Sequence, residues 1–191
     1  MPSVPERPIL RGEQVWLRPI EKEDLLNSSI EDVELAHYAG FRRSFARMET
    51  EQWLQHVASR ERGGDVMFAI CRLGSDVAIG NCGFRDVDQH HGSAEVAISI
   101  VDRADWGKGL GTDAMRVLVD FGFGEMRLER IWLRVFDYNP RAVRSYEKAG
   151  FVKEVLLRHD RFHRGVHHDV HLMAIIRPDW LTEQRRHAWD D

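Results

Sequence analysis

Apolar residues along this chain recur with two periods, one typical of strands and one typical of helices. Alternation with a period of two predicts strands at 14–19, 66–72, 77–84, 95–101, 130–136 and 170–176, and another beginning at Phe151. A spacing of three to four residues predicts helical segments at 21–37, 49–60, 112–124 and 139–150. Strands that alternate with helices favour an α/β fold, with a mixed sheet and helices on both faces.

A glycine-rich segment, Trp106-Gly107-Lys108-Gly109-Leu110-Gly111-Thr112, runs directly into the predicted helix 112–124. The free N–H groups and the dipole of a helix N-terminus attract an anion, and glycine lets a phosphate come close. The segment is not a P-loop, because Lys108 precedes Gly109 and no lysine follows Gly111. Nor is it a dinucleotide fingerprint, whose third glycine would fall at Thr112. An anion site or an ordinary glycine-rich turn remains.

A second motif covers residues 139–151, Asn-Pro-Arg-Ala-Val-Arg-Ser-Tyr-Glu-Lys-Ala-Gly-Phe, and predicts a complete short helix. Asn139 is suited to the N-cap, Pro140 to the first helical position, and Gly150 to the left-handed position after the last turn. Predicted strands flank this helix on both sides. Two strand–helix units therefore carry the two motifs.

Together the two motifs resemble those of the GNAT superfamily of acyl-CoA-dependent N-acetyltransferases. Residues 107–112 are similar to the family's pyrophosphate-binding loop, and 139–151 to its Asn…Ala…Tyr-Glu-Lys-x-Gly-Phe segment, in the same order and spacing. The family loop usually begins with Gln or Arg, whereas this one begins with Trp106. Trp106 and residues 161–170 resemble the branch that acetylates ribosomal-protein N-termini, and spermidine acetyltransferases resemble the same late segment. The likeness spans about 9–180 and implies a GNAT-like fold with a mostly antiparallel central sheet.

The resemblance also implies a set of cofactor-binding residues for acetyl-CoA. The backbone of the loop would hold the pyrophosphate, with charge from one lysine: Gly107, Lys108, Gly109, Leu110, Gly111 and Thr112. The strand end Ser99, Ile100 and Val101 would pair its backbone with the pantetheine arm. Asn139, Ala142 and Tyr146 would contact the coenzyme from the second motif.

Two titratable residues are candidates for proton transfer. Tyr146 is the expected general acid, because a phenol with a pKa near 10 can share a proton with a thiolate of pKa about 8.5. Its alternative role is packing on the helix face with Ala142 and Ala149. Glu95 is the expected base, since related enzymes carry an acidic residue near this place; a solvated glutamate with a water relay is the alternative. An α-amine of pKa about 8 needs less help than a lysine-like amine near 10.4.

Histidines and acidic residues suggest two further sites. Five histidines lie within residues 159–171, and His167, Asp169 and His171 would share one face of a strand, as in some metal sites. The matching family segment is a hairpin without metal, so no metal is expected. The acidic segment 31–34 lies in the region that covers the acceptor site in relatives, where it could attract a cationic amine or simply be a solvated helix face.

Composition limits the class of protein. A chain of 191 residues with 43% hydrophobic content can bury one core, so we expect a single domain at 9–178 with tails at 1–8 and 179–191. A net charge of −4 argues against nucleic-acid binding. No run approaches the roughly 18 apolar residues of a membrane helix, and residues 1–8 lack the apolar core of a signal peptide, so a cytoplasmic location is expected.

The two cysteines fit that compartment. They flank a predicted turn at 74–76, and pairing about this turn places Cys71 opposite a residue near Ile79 rather than opposite Cys82. Both are therefore expected to be buried free thiols, and a nucleophilic role is the weaker alternative.

The function expected from the sequence is transfer of an acetyl group from acetyl-CoA to a primary amine, either a protein N-terminal α-amine or a small amine such as a polyamine. A catalytically silent CoA-binding module and an acyltransferase for longer acyl chains are the alternatives. A homodimer is expected by resemblance alone.

Overall fold

A computed structural model describes residues 10–21, 23–24, 38, 65–183, 185 and 187–188. The predicted helix 49–60, the acidic segment 31–34 and the N-terminal tail 1–8 lie outside these residues, as does helix 21–37 apart from residues 21, 23 and 24. The described strands are β1 Leu10–Arg11, β2 Val15–Pro19, β3 Val66–Arg72, β4 Ala78–Asp88, β5 Ser93–Ile100, β6 Arg130–Phe136, β7 Val152–His163 and β8 Val166–Ile176. The described helices are α1 Leu110–Gly124, α2 Pro140–Lys148 and α3 Arg177–Thr182, and a short 3-10 turn covers Arg103–Asp105.

The strands form one sheet in the order β1-β2-β3-β4-β5-β6-β8-β7. Every neighbouring pair is antiparallel except β5 and β6, which run parallel. The predicted mixed, mostly antiparallel sheet is therefore confirmed. Within the described part of the chain, no helix is long and apolar enough to cross a membrane.

The two parallel strands, β5 and β6, pair over only part of their length. Their ladder covers Ser93–Glu95 against Arg130–Trp132 and then stops, although β5 continues to Ile100. Beyond Glu95, none of the described strands pairs with the edge of β5 that faces β6. Backbone groups on such an edge can pair with an extended ligand instead.

The core lies on the sheet face that α1 covers. Buried side chains of α1, among them Met115, Leu118 and Phe123, pack with Phe84 and Ile131 of the sheet. Gly122 allows this close approach, because a Cβ built there would lie 2.7 Å from Phe84 Cζ and 2.8 Å from Ile131 Cδ1. Side chains of α2 join the same core, so both helices have fixed positions relative to β5.

The hairpin of β3 and β4 has the predicted pairing. Cys71 lies opposite Ala78, and Cys82 lies opposite Phe68. Both cysteines are buried and free. Burial raises the pKa of the Cys71 thiol to about 11 and also raises that of Cys82, so both thiols are protonated near neutral pH.

Element boundaries differ most from the predictions late in the chain. Strand β8 begins at Val166 rather than at residue 170, because it pairs with β7 down to the turn of their hairpin. The predicted tail 179–191 instead starts within helix α3 and continues to contacts with α1. Trp180 anchors this segment: its ring is buried against Phe123, with centroids 5.4 Å apart.

Candidate active site

A cleft of about 340 Å³ lies between the end of β5, the glycine loop and α2. The predicted cofactor-binding residues that line it are Ser99, Ile100, Gly107, Gly109, Gly111, Thr112, Asn139, Ala142 and Tyr146. Val101, Lys108, Leu110 and Glu95 are not among the described lining residues. The two sequence motifs and the strand end thus form one concave surface.

The glycine loop leaves the N-terminus of α1 open. Gly107 and Gly109 have φ angles of +77° and +87°, which favour glycine. Gly109 is the N-cap and provides no side-chain cap, and Asp113 N–H makes the first helical bond to its carbonyl at 2.9 Å. The N–H groups of the three preceding residues of α1 have no acceptor one turn back in the helix. They can donate to an anion in the cleft.

The carboxylate of Asp113 fixes the start of α1 to the sheet. It accepts hydrogen bonds from the backbone N–H groups of Glu13, Gln14 and Val15 at 2.8 to 3.0 Å. Gly12 lies against it, and a Cβ at that position would come within 2.4 Å of a carboxylate oxygen. The helix N-terminus is therefore held directly beside β2.

Charge near the loop differs from the sequence expectation. Lys108 does not line the cleft, and its Nζ lies 3.5 Å from Asp105 Oδ1. Asp105 also pairs with Arg72. The cations that line the cleft come instead from α2: Arg141, Arg144 and Lys148. The sequence does indicate that these three cations lie together, since residues spaced by three and seven positions share one face of a helix. Sequence reasoning also missed Ile98, Asp105 and Ser145, which line the cleft.

The strand end is only partly free for a ligand. Val101 N–H donates to Ile79 O on β4 at 3.0 Å. The carbonyl of Ile100 points the opposite way across the same trans peptide and accepts a hydrogen bond from Trp106 Nε1 at 2.9 Å. A ligand arm can therefore pair with β5 only before this carbonyl.

Asn139 and Tyr146 occupy opposite ends of α2. The Asn139 side chain caps the helix by accepting from Ala142 N–H at 3.2 Å. Tyr146 lies in the last turn of the helix, partly buried beside Phe151. Its hydroxyl has no hydrogen-bond partner among the described residues. Burial raises the pKa of Tyr146 to about 12, against a smaller lowering by Arg141. The phenol is thus protonated and available as a donor in the cleft.

Glu95 is buried, at 1% exposure, in an ion-pair network with two arginines. Arg85 donates to its two oxygens at 2.9 and 3.0 Å, and Arg134 at 3.1 and 3.3 Å. Burial alone would raise the pKa of Glu95, but the hydrogen bonds from both guanidinium groups outweigh it and hold that pKa below its ordinary value.

The histidine-rich hairpin has local partners. His167 Nδ1 lies 3.3 Å from His159 O, His168 Nδ1 lies 3.3 Å from Asp137 Oδ1, and Asp169 accepts from the backbone N–H of His159. Among the described residues there is no group of three or more His, Cys, Asp or Glu side chains placed to hold a metal ion.

The cleft residues fit an acyl-CoA. Open helix N–H groups and three cations suit the phosphates, and the unpaired edge of β5 suits the peptide-like pantetheine arm. Gly107 leaves open space beside the loop, because no atom of the described residues lies within 4 Å of a Cβ built there. Tyr146 lines the same cleft.

Comparison with known proteins agrees with this geometry. The family model of the acetyltransferase (GNAT) domain matches residues 14–152. The chain belongs to the GNAT acetyltransferase family. The uncharacterised N-acetyltransferase p20 of Bacillus licheniformis is 29% identical over 174 residues, covering 90% of this chain and 97% of that protein. This acetyltransferase uses acetyl-CoA as its cosubstrate and acts as an N-acetyltransferase.

Other relatives of this acetyltransferase are named after the amine that they acetylate. The spermidine N(1)-acetyltransferase of Escherichia coli K12 is 32% identical over 100 residues, 52% of this chain and 53% of that protein. The crystal structure of spermidine N-acetyltransferase from Vibrio cholerae, in complex with CoA and spermine, has a TM-score of 0.77 at 26% identity and covers 88% of this chain and 99% of that one.

Proposed function

We propose that this acetyltransferase moves the acetyl group to a primary amine by direct attack, with Tyr146 as the proton donor to the departing sulfur. The observation that carries the proposal is the meeting of three features in one cleft: the open N-terminus of α1, the edge of β5 and the Tyr146 hydroxyl, the last two without a partner among the described residues. Acetyl-CoA, when bound, supplies an activated acyl group and a thiolate leaving group.

Proton donation by Tyr146 fits its environment. Because the pKa of the phenol is about 12, its proton stays in place through the neutral range and the hydroxyl can donate a hydrogen bond to a developing thiolate. Complete transfer to a thiolate of pKa about 8.5 is uphill by several pKa units, so transfer must accompany loss of the proton from the attacking amine. Tyr146 therefore acts together with whatever group accepts that amine proton.

The favoured acceptor is a protein N-terminal α-amine. The one carboxylate among the described lining residues, Asp105, is paired with Arg72 and Lys108, and Glu95 is paired with two arginines. A carboxylate held in this way is a weak base, so we assign removal of the amine proton to water. The role of Glu95 as the base, which the sequence suggested, remains a prediction. An α-amine with a pKa of about 8 is already partly neutral near pH 7 and needs little help.

A polyamine is the second candidate, because spermidine N-acetyltransferases are similar to this chain in sequence and in structure. A polyamine nitrogen has a pKa similar to that of lysine, near 10, and would rely on a protein base. The described lining residues include no carboxylate without a cationic partner that could act as this base.

The test is CoA release, followed with a thiol reagent, across matched acceptors. A peptide with a free Ser or Ala N-terminus is compared with the same peptide whose α-amine is blocked and which carries one lysine, and with spermidine. We expect the free α-amine to give the highest kcat/KM. A higher value for spermidine would reverse the order, and tight CoA binding without release for any acceptor would favour a silent CoA-binding module. Propionyl- and butyryl-CoA test the preference for longer acyl chains.

Two sequence expectations remain predictions: the cytoplasmic location and the homodimer. The exposed apolar side chains of the β7–β8 hairpin, Val155, Leu156, Phe162 and Val166, support a dimer through this edge of the sheet. Light scattering during size-exclusion chromatography measures the oligomeric state directly.

A further inference from the structure

The hairpin of β7 and β8 projects beyond β6, its neighbour in the sheet. The ladder between β6 and β8 ends at Val170, whereas β7 and β8 remain paired as far as His163 and Val166. The projecting end, residues 158–168, is called the hairpin tip below. Side chains of the tip that are exposed to solvent include Arg158, His159, Phe162, Arg164 and His167.

Three exposed rings lie against one another at the hairpin tip. Phe162 and His167 are directly opposite across the two strands, with ring centroids 5.1 Å apart. His159 stacks on His167 at 5.7 Å, with 14° between the ring planes. Phe162 is 56% exposed, so these rings present their surface to solvent rather than to the core. Phe162, His159 and His167 are called the ring cluster below.

The backbone holds His159 in an uncommon conformation. Its φ angle is +55°, at a bulge where the register of β7 shifts between Leu157 and Arg161. Asp169 accepts a hydrogen bond from its N–H at 2.9 Å, and His167 Nδ1 lies 3.3 Å from its carbonyl oxygen. Residues other than glycine seldom adopt a left-handed conformation, and they keep it only where surrounding contacts hold them there. The ring of His159 is therefore preorganised beside that of His167.

The charge of the hairpin tip is opposite in sign to that of the whole chain. Residues 158–168 contain three arginines and one aspartate, whereas the chain has a formal net charge of −4. Arg161 lies over a ring of β6. Arg158 and Arg164 are exposed at the base and at the turn of the tip, where Asp160 is the one carboxylate. The negative charge that argues against nucleic-acid binding by the chain as a whole therefore does not describe this surface.

Exposed rings between cations fit single-stranded RNA. Unpaired bases stack on aromatic side chains, histidine included, and arginines contact the phosphates. The ring of His167 also offers a contact to ribose. Because the His159 carbonyl can only accept, the proton of a neutral His167 ring is on Nδ1, which leaves Nε2 as an acceptor. A ribose 2′-hydroxyl can donate to this nitrogen, and DNA lacks that group.

We propose that the hairpin tip binds single-stranded RNA, with bases stacked on the ring cluster and phosphates contacted by Arg158 and Arg164. This function goes beyond acetyl transfer and depends neither on Tyr146 nor on the identity of the acceptor amine. Phe162 is also one of the apolar side chains that support a dimer, so the oligomeric state is measured together with RNA binding.

The experiment is fluorescence anisotropy of a labelled oligouridylate of about twelve nucleotides, titrated with the purified full chain at several salt concentrations. Arg158→Gln and Arg164→Gln should each weaken binding and lower the slope of log Kd against log salt by about 0.7, the value for one phosphate contact on a single strand. Phe162→Leu should raise Kd about tenfold at an unchanged slope, because it removes a stacking ring and no charge. Arg127→Gln, an exposed change between α1 and β6, is the control and should bind like the wild type.

Oligodeoxyuridylate of the same length tests the choice of RNA over DNA. The wild type should bind it more weakly than oligouridylate, and His167→Phe, which keeps a ring but removes Nε2, should lose this preference. Equal binding of the two oligonucleotides by the wild type would overturn the assignment to RNA.

Other results would overturn the nucleic-acid site itself. One is the absence of oligouridylate binding at low salt, and another is wild-type affinity and slope in all three tip variants. Binding of anionic phosphatidylglycerol vesicles in place of oligouridylate, lost in Phe162→Leu, would assign the ring cluster to a lipid surface. A dimer in light scattering that becomes a monomer in Phe162→Leu, with RNA binding unchanged, would assign the ring cluster to a second copy of the chain.

Discussion

The hydroxyl oxygens of Thr112 and Ser145 lie 2.7 Å apart and join the first turn of α1 directly to α2. A second link between the helices is the hydrogen bond from Arg116 Nη2 to the Lys148 carbonyl at 2.8 Å. Tyr146 follows Ser145 directly along α2. The distance between the anion-binding end of α1 and the proposed proton donor is thus fixed by contacts between two helices that the sheet itself holds.

Removing the hydroxyl bridge should weaken cofactor binding. Ser145→Ala leaves both helices in place but loses a hydrogen bond with a net value of about 1 kcal/mol, so the Kd for CoA should rise about three- to tenfold. Calorimetric titration measures this change. Thr112→Ser keeps the hydroxyl and is the matched control, with an affinity near that of the wild type. A Kd for Ser145→Ala within error of the wild type would show that the bridge plays no part in binding.

The site was predictable where its signals are local. The N-cap Asn139, Pro140 and Gly150 define α2 within a dozen residues, and its bounds in the structure agree closely. The glycine loop is equally local, since positive φ angles at Gly107 and Gly109 are a property of those residues. The partners of charged side chains are not local. Nothing near Glu95 in sequence reveals that the registers of β4 and β6 bring Arg85 and Arg134 to it.

The C-terminal segment was also hard to predict, because its partners are distant in sequence. Residues 179–191 contain many polar side chains and predict a tail, yet Trp180, Arg185 and Ala188 all bond to the buried Asp120 of α1. These contacts join residues at least 60 positions apart in sequence. A helix of six residues is also too short to show a helical period in the sequence.

Tyr146→Phe should separate chemistry from binding. The variant keeps the ring that packs beside Phe151 and removes only the hydroxyl, so the Kd for CoA should stay within about twofold while kcat falls by about a hundredfold, the lower range for general acid catalysis. Equal kcat in the variant would show that Tyr146 only packs.

The pH dependence of kcat provides an independent test of the same residue. Tyr146 must be protonated to donate, and because its pKa is raised to about 12, this form persists to well above pH 10. We expect kcat to rise with pH as the acceptor amine loses its proton and to show no decline below about pH 10. A decline centred near pH 9 to 10 that disappears in Tyr146→Phe would mean that the phenol ionises with an ordinary pKa.

Glu95→Gln should affect stability more than chemistry. Removing one partner of a buried ion pair leaves Arg85 and Arg134 without their shared carboxylate, and since both are half-exposed we expect a loss of about 1 to 3 kcal/mol in the free energy of unfolding at pH 7. The folded pKa of Glu95 lies below its unfolded value of about 4.3, so its contribution is present above that pH and is lost as pH falls through the folded pKa. Urea unfolding of both proteins at pH 7 and below pH 4 checks this difference.

The difference in the free energy of unfolding between the wild type and Glu95→Gln should therefore become smaller at acidic pH. If Glu95 were instead the catalytic base, kcat of the variant would fall sharply and would lose its dependence on the ionisation of a carboxyl group. Arg85→Gln is the companion variant. It should also lose stability, because it removes a partner of the same carboxylate, and it should leave the pH profile of kcat unchanged.

Asp120→Asn should loosen the C-terminal segment. The carboxylate is 1% exposed and accepts hydrogen bonds from Trp180 Nε1, Arg185 and the N–H of Ala188 at 2.6 to 2.9 Å. An amide of the same shape loses the charge and one acceptor oxygen, so we expect the free energy of unfolding to fall by about 3 kcal/mol. Asp179→Asn, an exposed change in α3, should cost less than about 1 kcal/mol. Equal urea midpoints for the two variants would contradict a buried anchor at Asp120.

Gly107 and Gly74 form a matched pair that separates backbone strain from ligand contact. Their φ angles are +77° and +81°, and a Cβ built at either position has no atom of the part of the chain that the structure describes within 4 Å. Alanine at either site should therefore cost about the same, roughly 1 to 2 kcal/mol for a left-handed conformation. Gly74 lies in the hairpin turn between β3 and β4, whereas Gly107 lines the cleft.

The two alanine variants should then differ only in cofactor affinity. Gly107→Ala should raise the Kd for CoA at least about tenfold, because the added methyl group enters the space where a phosphate approaches the loop. Gly74→Ala should bind CoA like the wild type despite an equal loss of stability in urea. If both variants bound CoA equally well, the loop would contribute no close backbone contact, and the anion would have to be held by the side chains of α2 alone.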